Sequence, residues 1–313
     1  MNEGSPQQLQ ARPPAWQIIL AFAIIYLVWG STYLAIRVGV REMPPFLMAG
    51  LRFLIAGFAL YWWMRARGVP APSRQQWLAA VFLSSLLFVL DYGCLFWAEV
   101  RVPSGIAAVV LATIPVFMTL FEIVLLRTQR FTARLGFAFL LGIFGVAVLM
   151  NPSRSLGGVP IDRAGAIALL TAAVSWSFAS ILMRKLPLPA SKPMSAAAQM
   201  FSGGALLMVL SAVTGEFRGF HFGAVSFGAW FSLFYLIVAG SIIGYTAYLW
   251  LLHFESPTRV GTYAYVNPIV AVILGYMLGS ESIGIRTIAA TVLILVSVVV
   301  ITTTRAKPIT AET

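Results

Sequence analysis

Apolar residues run along this chain in long unbroken stretches, without the alternation typical of half-buried strands. Each stretch is close to the roughly 20 residues that an α-helix needs to cross a bilayer. Short segments rich in Arg, Pro and Gly separate the stretches. The pattern predicts an all-α integral membrane protein with ten transmembrane helices, at about residues 15–36, 46–64, 77–97, 103–126, 135–150, 164–183, 194–213, 226–251, 259–279 and 287–304.

The composition agrees with this fold class and excludes several others. The chain has 313 residues, of which 60% are hydrophobic and 10% are charged. A soluble globular protein carries about 25% charged residues, and a disordered chain combines low hydrophobicity with high charge. The predicted connections are too short for a soluble domain, and no Walker A phosphate-binding loop is present. ATP-driven transport by this chain alone is therefore excluded, and no cofactor is predicted.

The formal net charge of +11 comes mainly from Lys and Arg at the ends of the apolar stretches. Basic residues in that position contact anionic lipid headgroups, so they indicate the lipid bilayer and not nucleic acid as a partner. When the connections are counted alternately, most Lys and Arg fall on the side of both termini. The positive-inside rule then predicts that both ends are cytoplasmic, with tails at residues 1–14 and 305–313.

The two halves of the chain share a pattern of aromatic, basic and proline residues. Residues of spans three and four recur at one constant offset in spans eight and nine, where Tyr92, Trp97 and Pro115 match Tyr245, Trp250 and Pro268. The pattern predicts repeats at residues 15–150 and 164–304, joined by a periplasmic linker at 151–163. Because each repeat has an odd number of spans, the second copy would be inverted. An inverted repeat of this kind favours the interpretation that the protein is a carrier with alternating access and not a static pore.

Three features carry a resemblance to a known family. They are the segment 26–33 (Tyr-Leu-Val-Trp-Gly-Ser-Thr-Tyr), the Arg52-Phe53 pair, and the mid-span prolines Pro115 and Pro268. Over nearly the whole chain, the sequence resembles the EamA branch of the drug/metabolite transporter superfamily, with amino-acid exporters of the YddG type as the most similar group. The resemblance implies a ten-helix secondary transporter of the bacterial inner membrane. It does not select a substrate, because members of the family move different metabolites.

The mid-span prolines predict where a substrate binds. A proline inside a helix frees a backbone carbonyl, which in a membrane must face protein or a wet cavity. Pro115 and Pro268 each lie near the centre of a predicted span, so we expect a cavity near the midplane. Thr113 and Asn267, beside these prolines, offer polar groups at the same depth. A packing kink without ligand contact is the alternative for each proline.

Aromatic residues inside the spans are predicted to line this cavity in two layers. Trp29 and Tyr92 fall in the outer half of the membrane, and their repeat mates Trp176 and Tyr245 fall in the inner half. We expect the two pairs to close the cavity alternately from outside and inside, although helix packing alone also explains any single aromatic residue. Tyr248, Tyr263 and Tyr265 are expected to extend the cavity wall. Ser31, Thr32 and Ser177, which neighbour the two tryptophans, are expected to bond the polar ends of a substrate.

Two ionisable residues lie within spans two and three at similar depths. They are Arg52 and Asp91, and an isolated charge there would be costly, so they are predicted to pair or to share a network. In the alternative, Arg52 holds a substrate carboxylate while Asp91 meets an amine or a proton. Proton antiport and facilitated diffusion both stay open on these grounds.

A cavity with aromatic and hydroxyl groups and little net charge suits a neutral zwitterion with an apolar side chain. The predicted function is export of aromatic or other apolar neutral amino acids, with other small metabolites or drugs as the alternative. The single Cys94 argues against a thiolate metal site, and neither His221 nor His253 belongs to a metalloprotease motif. An intramembrane enzyme and a channel are therefore minor alternatives. The oligomeric state is not determined.

Overall fold

The computed structural model describes residues 13–126, 131–150, 161–183, 185–255, 260 and 262–303. This part of the chain is helical, with no strand. Apart from a 3₁₀ turn at Phe222–Ala224 it forms ten long helical segments, namely α1 (Ala15–Gly39), α2 (Pro45–Ala66), α3 (Arg74–Ser84, Ser85–Gly93 and Cys94–Glu99), α4 (Ser104–Leu111, Ile114–Phe121 and Glu122–Leu126), α5 (Ala133–Met150), α6 (Arg163–Leu182), α7 (Lys192–Val213), α8 (Phe227–Tyr235, Leu236–Ile243 and Gly244–Phe254), α9 (Tyr263–Leu278) and α10 (Ile285–Thr303).

Length and hydropathy make seven of these helices long and apolar enough to cross a membrane, among the described residues. The other three, α5, α9 and α10, are shorter apolar helices. The prediction of an all-helical protein with many membrane spans is therefore confirmed at this level. The count of ten spans and the side of each terminus stay predictions. The predicted tails and linker lie almost wholly outside the described residues.

Several helices begin at caps that the local sequence supplies. Ser73 forms a capping box with Gln76 at the start of α3, and Ser191 accepts the amide of Met194 at the start of α7. These caps satisfy amides that have no partner inside the helix. They bond only residues of their own helix start.

Other helix starts are capped by carboxylates from distant connections. Glu216, which precedes α8, accepts the first amides of α2, and Glu281, which precedes α10, accepts the amides of Ser104 and Gly105 at the start of α4. Negative charge is stabilising at a helix N-terminus because of the helix dipole. These bonds tie connections of the second half of the chain to helices of the first half.

Helices α2 and α7 cross at very close range through two glycines. A Cβ atom added to Gly57 would lie 2.3 Å from the backbone nitrogen of Phe201, and one added to Gly204 would lie 2.2 Å from that of Leu54. Residue numbers rise along α2 as they fall along α7 at these contacts, so the two helices run antiparallel. Helices α2 and α7 are each the second helix of their half. Matching helices of the two halves thus cross in opposite directions, which is the relation that an inverted repeat requires.

The first helix of each half packs into the opposite half. Helix α1 lies against α8 and α9, and α6 lies against α3 and α4. Helices α5 and α10 also pack together, where Ser297 Oγ donates to the carbonyl oxygen of Ala138 at 2.6 Å. Because of this exchange, the centre of the molecule is built from both halves.

Three of the ten helices depart from regular α-geometry near their middle. Helix α4 is interrupted at Ala112 and Thr113, directly before Pro115, whereas α9 continues through Pro268. The two prolines are therefore not structurally equivalent. Helices α3 and α8, which are repeat mates, each contain a π-helical stretch, at Ser85–Gly93 and Leu236–Ile243. Such stretches occur often at functional sites.

Candidate functional site

A pocket with an empty volume of about 250 Å³ lies between the two halves of the chain. Both π-helical stretches contribute to its wall, together with α2, α6 and α7. The lining residues are Arg52, Phe53, Phe88, Tyr92, Trp176, Met200, Gly240, Ser241 and Tyr245.

One wall of the pocket is an aromatic cluster. The Phe53 ring centroid lies 4.7 Å from that of Phe88 and 4.6 Å from that of Tyr92. Tyr92 in turn contacts Trp176 edge-on at 6.1 Å. The indole nitrogen of Trp176 is buried and has no hydrogen-bond partner among the described residues. The wall is thus apolar, with one free donor.

Arg52 supplies the positive charge of the pocket. Its side chain is only 1% exposed, and its Nε donates to Ser241 Oγ at 2.9 Å. The guanidinium carbon lies 4.6 Å from the Phe53 ring centroid and 5.1 Å from that of Tyr92. Cation–π contacts of this kind stabilise a guanidinium without neutralising it. Because Nη1 is buried without a partner in the described structure, the pocket contains a cation that is available to an anion.

The expected ion pair between Arg52 and Asp91 does not form in the described residues. Arg52 bonds Ser241 instead, and Asp91 Oδ1 is buried without a partner. The reason is helical geometry, since successive residues of a helix point about 100° apart. Helix α3 turns Tyr92 toward Arg52, so the neighbouring Asp91 cannot face the same side chain.

A second aromatic cluster lies behind the pocket, around Trp29. The indole nitrogen of Trp29 donates to the carbonyl oxygen of Gly240 at 3.1 Å, and its ring lies 5.1 Å from Tyr248 and 5.2 Å from Tyr263. Gly240 separates this cluster from Arg52. A Cβ atom at Gly240 would lie 2.9 Å from Thr32 and 3.0 Å from Arg52 Nη2, so no side chain fits there.

The aromatic residues are grouped differently from the two layers that the sequence predicts. Trp176 contacts Tyr92, not Tyr245, and Trp29 contacts Tyr248 of the other half. The cause is the exchange of α1 and α6 between the halves. Each tryptophan on a first helix consequently packs against aromatic residues of the opposite repeat.

The hydroxyl groups expected to bond a substrate are bonded to the protein. Ser31, Thr32, Thr113 and Ser177 each donate to a carbonyl oxygen of their own helix. Hydroxyl groups commonly bond the preceding helical turn in this way. None of the four is among the residues that line the pocket.

Two further predicted residues connect helices. With its amide nitrogen oriented as donor, Asn267 bonds the carbonyl oxygen of Tyr26 at 3.1 Å and so joins α9 to α1. Tyr265 donates its hydroxyl to the carbonyl oxygen of Val298 at 3.0 Å and joins α9 to α10. Neither these two residues nor Pro115 and Pro268 line the pocket.

Four of the residues predicted from the sequence line the pocket, and the other lining residues were not predicted as part of a site. Arg52, Tyr92, Trp176 and Tyr245 were expected in or near the site. The missed lining residues are Phe88, Met200, Gly240 and Ser241, with Phe53 noted only as part of a motif. An apolar helix contains no signal that marks a π-helical stretch, so Phe88 and Ser241 could not be selected from it.

An all-helical membrane protein whose two halves enclose a pocket between them has the architecture of a secondary transporter. The EamA-like transporter family matches residues 16–151 and 163–303 of the chain. The protein therefore belongs to the EamA-like transporter family, and it is a membrane transporter and not an enzyme.

Similar proteins cover nearly the same length. The chain is 37% identical over 296 residues to "Uncharacterized inner membrane transporter YedA" of Escherichia coli K12, covering 93% of this chain and 94% of that protein. It is 26% identical over 280 residues to the "Probable amino-acid metabolite efflux pump" of Salmonella typhimurium LT2, covering 87% and 90%. A solved structure titled "Crystal structure of protein" superposes with a TM-score of 0.62 at 20% identity, covering 92% and 97%, and supports the fold alone.

Proposed function

We propose that this protein exports aromatic or other apolar neutral amino acids across the bacterial inner membrane by alternating access. In this proposal ten helices span the membrane as two inverted repeats, with both termini in the cytoplasm. The observation that carries the proposal is the buried guanidinium of Arg52, whose Nη1 faces an aromatic pocket without a partner among the described residues.

The chemistry of the pocket suits a zwitterion. A substrate carboxylate would accept hydrogen bonds from Arg52 Nη1 and from the indole nitrogen of Trp176, which are buried donors of the lining without a partner among the described residues. Bonds of this charge-assisted kind are about twice as strong as neutral ones. An apolar side chain would pack against Phe53 and Phe88, and Tyr245 supplies an aromatic ring of the lining for a cation–π contact with an ammonium group. A single cation does not suit a sugar phosphate, which carries more negative charge.

The relatives support the substrate class and the location in part. The Salmonella typhimurium relative is named as a probable amino-acid metabolite efflux pump, and the Escherichia coli relative as an inner membrane transporter. Alternating access is supported by the antiparallel crossing of α2 and α7. An arrangement in which equivalent helices run in opposite directions can exchange the conformations of its halves and open to either side.

The test is reconstitution of the purified protein into liposomes with a panel of labelled amino acids that includes phenylalanine, leucine, aspartate and lysine. We expect saturable counterflow of phenylalanine and leucine, and little transport of aspartate or lysine. Arg52→Gln should raise KM by about tenfold to a hundredfold, because a charged hydrogen bond contributes about 1.5–3 kcal/mol.

Arg101→Gln is the matched control, since Arg101 also stacks on an aromatic ring, that of Trp97, but is exposed and is not among the residues that line the pocket. Flux without counterflow would indicate a channel and contradict the proposal. An Arg52→Gln protein that transports like wild type would contradict the role of the guanidinium.

A further inference from the structure

Glu99, the last residue of α3, carries a buried carboxyl group and does not line the pocket. Its side chain is 0% exposed, and both carboxyl oxygens lack a hydrogen-bond partner in the described part of the chain. Burial of an unpaired carboxylate is very unfavourable, and such a group keeps its proton instead. The carboxyl of Glu99 is therefore neutral in this arrangement.

Arg37 of α1 lies directly beside Glu99 without neutralising it. Its Nη1 donates to the backbone carbonyl oxygen of Glu99, and its Nε is buried without a partner among the described residues. The guanidinium of Arg37 is the neighbouring cation with which an ionised Glu99 would pair. The site thus has two available states, a neutral carboxyl and a carboxylate paired with Arg37.

Other charged or titratable groups surround the carboxyl from each neighbouring element. Glu281 precedes α10 and has its carboxylate bonded to the start of α4, and Arg52 on α2 is bonded to Ser241. Tyr33 on α1 also interacts electrostatically with Glu99, and Arg41 interacts with Arg37. Helix α6, which packs against the last segment of α3, carries the exposed Asp162 and Arg163 at its start, and Asp91 lies about two turns earlier on α3. Arg37 is the cation in direct contact with Glu99.

Glu99 is also connected to the pocket along one face of α3. Tyr92 and Phe96 both lie under the guanidinium of Arg52, at 5.1 and 5.9 Å. Glu99 follows Phe96 by three residues, which places it on the same face about 4.5 Å further along the helix. A change of charge at Glu99 therefore acts on the arginine that we assign to the substrate.

We propose that Glu99 is a proton-binding site that couples transport to the pH on the outer side of the membrane. In the arrangement described here, in which Glu99 is buried, its carboxyl holds the proton. When the outer end opens, the O–H bond of the carboxyl breaks, the proton passes to external water, and the carboxylate pairs with Arg37. The transport readout of this proposal rests on the proposed function.

The first experiment measures phenylalanine counterflow in oriented proteoliposomes as the outer pH is lowered from about 8 to about 5. Titration of a single group can change the transport rate by up to about tenfold per pH unit. Wild type is expected to slow by at least about threefold, because protons hold Glu99 neutral and the outer end closed. Glu99→Gln, which cannot ionise, should remove this pH response and keep counterflow at the slow rate of the wild type in acid. Glu99→Asp keeps a titratable group and should restore the response.

Asp91→Asn is the matched control, because Asp91 is a second buried carboxyl on α3 with no adjoining cation among the described residues. It should keep the pH response. A flat wild-type profile, or a pH response that survives Glu99→Gln, would overturn the proposal. Absence of counterflow in wild type would instead count against the proposed function.

A second measurement does not depend on the substrate. Infrared difference spectroscopy of the purified protein at neutral pH should show a carboxylic-acid C=O stretch that is present in wild type and missing in Glu99→Gln. Identical spectra in this region would mean that Glu99 is ionised in the closed arrangement, and the proposal would be wrong.

Discussion

The carboxylate of Glu216 accepts the backbone amide of Leu47 at 2.8 Å, across a sequence separation of more than half the chain. It also accepts the amide of Phe46, so one side chain holds both first amides of α2. Glu281 does the same for α4, and Glu42 bonds the start of α8. Each of these contacts connects one repeat to the other, and all of them lie at the end of the molecule that the sequence predicts to be external.

Removal of the Glu216 contact should weaken this end of the protein. Glu216→Ala leaves the amides of Phe46 and Leu47 without their carboxylate, and lost charge-assisted bonds of this kind cost about 1–3 kcal/mol. Because Glu216 is half-buried, we expect the lower part of that range, measured by denaturant unfolding in detergent. Arg218→Ala, in the same connection, is the control and should unfold like wild type. Equal stability of both variants would show that Glu216 contributes nothing.

Glu42 should make stability depend on pH. The hydroxyl and amide of Ser226 donate to its carboxylate, and these bonds lower the pKa of Glu42 below its ordinary value. A group whose pKa is lowered by folding stabilises the protein above its unfolded pKa and loses that contribution as the pH falls through the folded value. The melting temperatures of wild type and Glu42→Gln should therefore differ at neutral pH and converge in acid. A difference that is independent of pH would contradict this assignment.

Gly240 should tolerate no side chain. A Cβ atom would press against Thr32 and against Arg52 Nη2, so Gly240→Ala is expected to displace the guanidinium and to raise the KM for phenylalanine by about tenfold, the effect of roughly 1.4 kcal/mol. Gly228→Ala on the same helix is the matched control, because its nearest neighbour would be Ser226 Oγ at 3.7 Å. If both variants transport normally, the packing of Gly240 against Arg52 does not govern binding.

Trp176→Phe tests the second donor of the pocket. The substitution keeps an aromatic ring next to Tyr92 and removes the unpartnered indole N–H. Loss of one hydrogen bond worth about 1 kcal/mol should raise KM about fivefold while kcat changes little. Trp77→Phe, far along α3 from the pocket lining, should have no such effect. A normal KM for Trp176→Phe would remove this donor from the proposed site.

The sequence by itself determined the helical membrane architecture and the existence of two related halves. Hydrophobic length alone decides which segments can cross a bilayer, because unpaired backbone groups are not tolerated in lipid. The order of the matched residues Tyr92 and Pro115 with Tyr245 and Pro268 then indicated the repeat. The cost of a buried charge also singled out Arg52 before any contact was known.

Only the tertiary structure decided which of these residues meet. Asp91 and Tyr92 are neighbours in the chain, but the turn of α3 directs Tyr92 to Arg52 and leaves Asp91 apart from it. Ser241 reaches Arg52 because α8 packs against α2, and Trp176 reaches Tyr92 because the halves exchange their first helices. Both are relations between distant segments that no local pattern contains. Glu99 falls at a predicted span boundary in the sequence, and only the packing of α1 against α3 shows that it is buried beside Arg37.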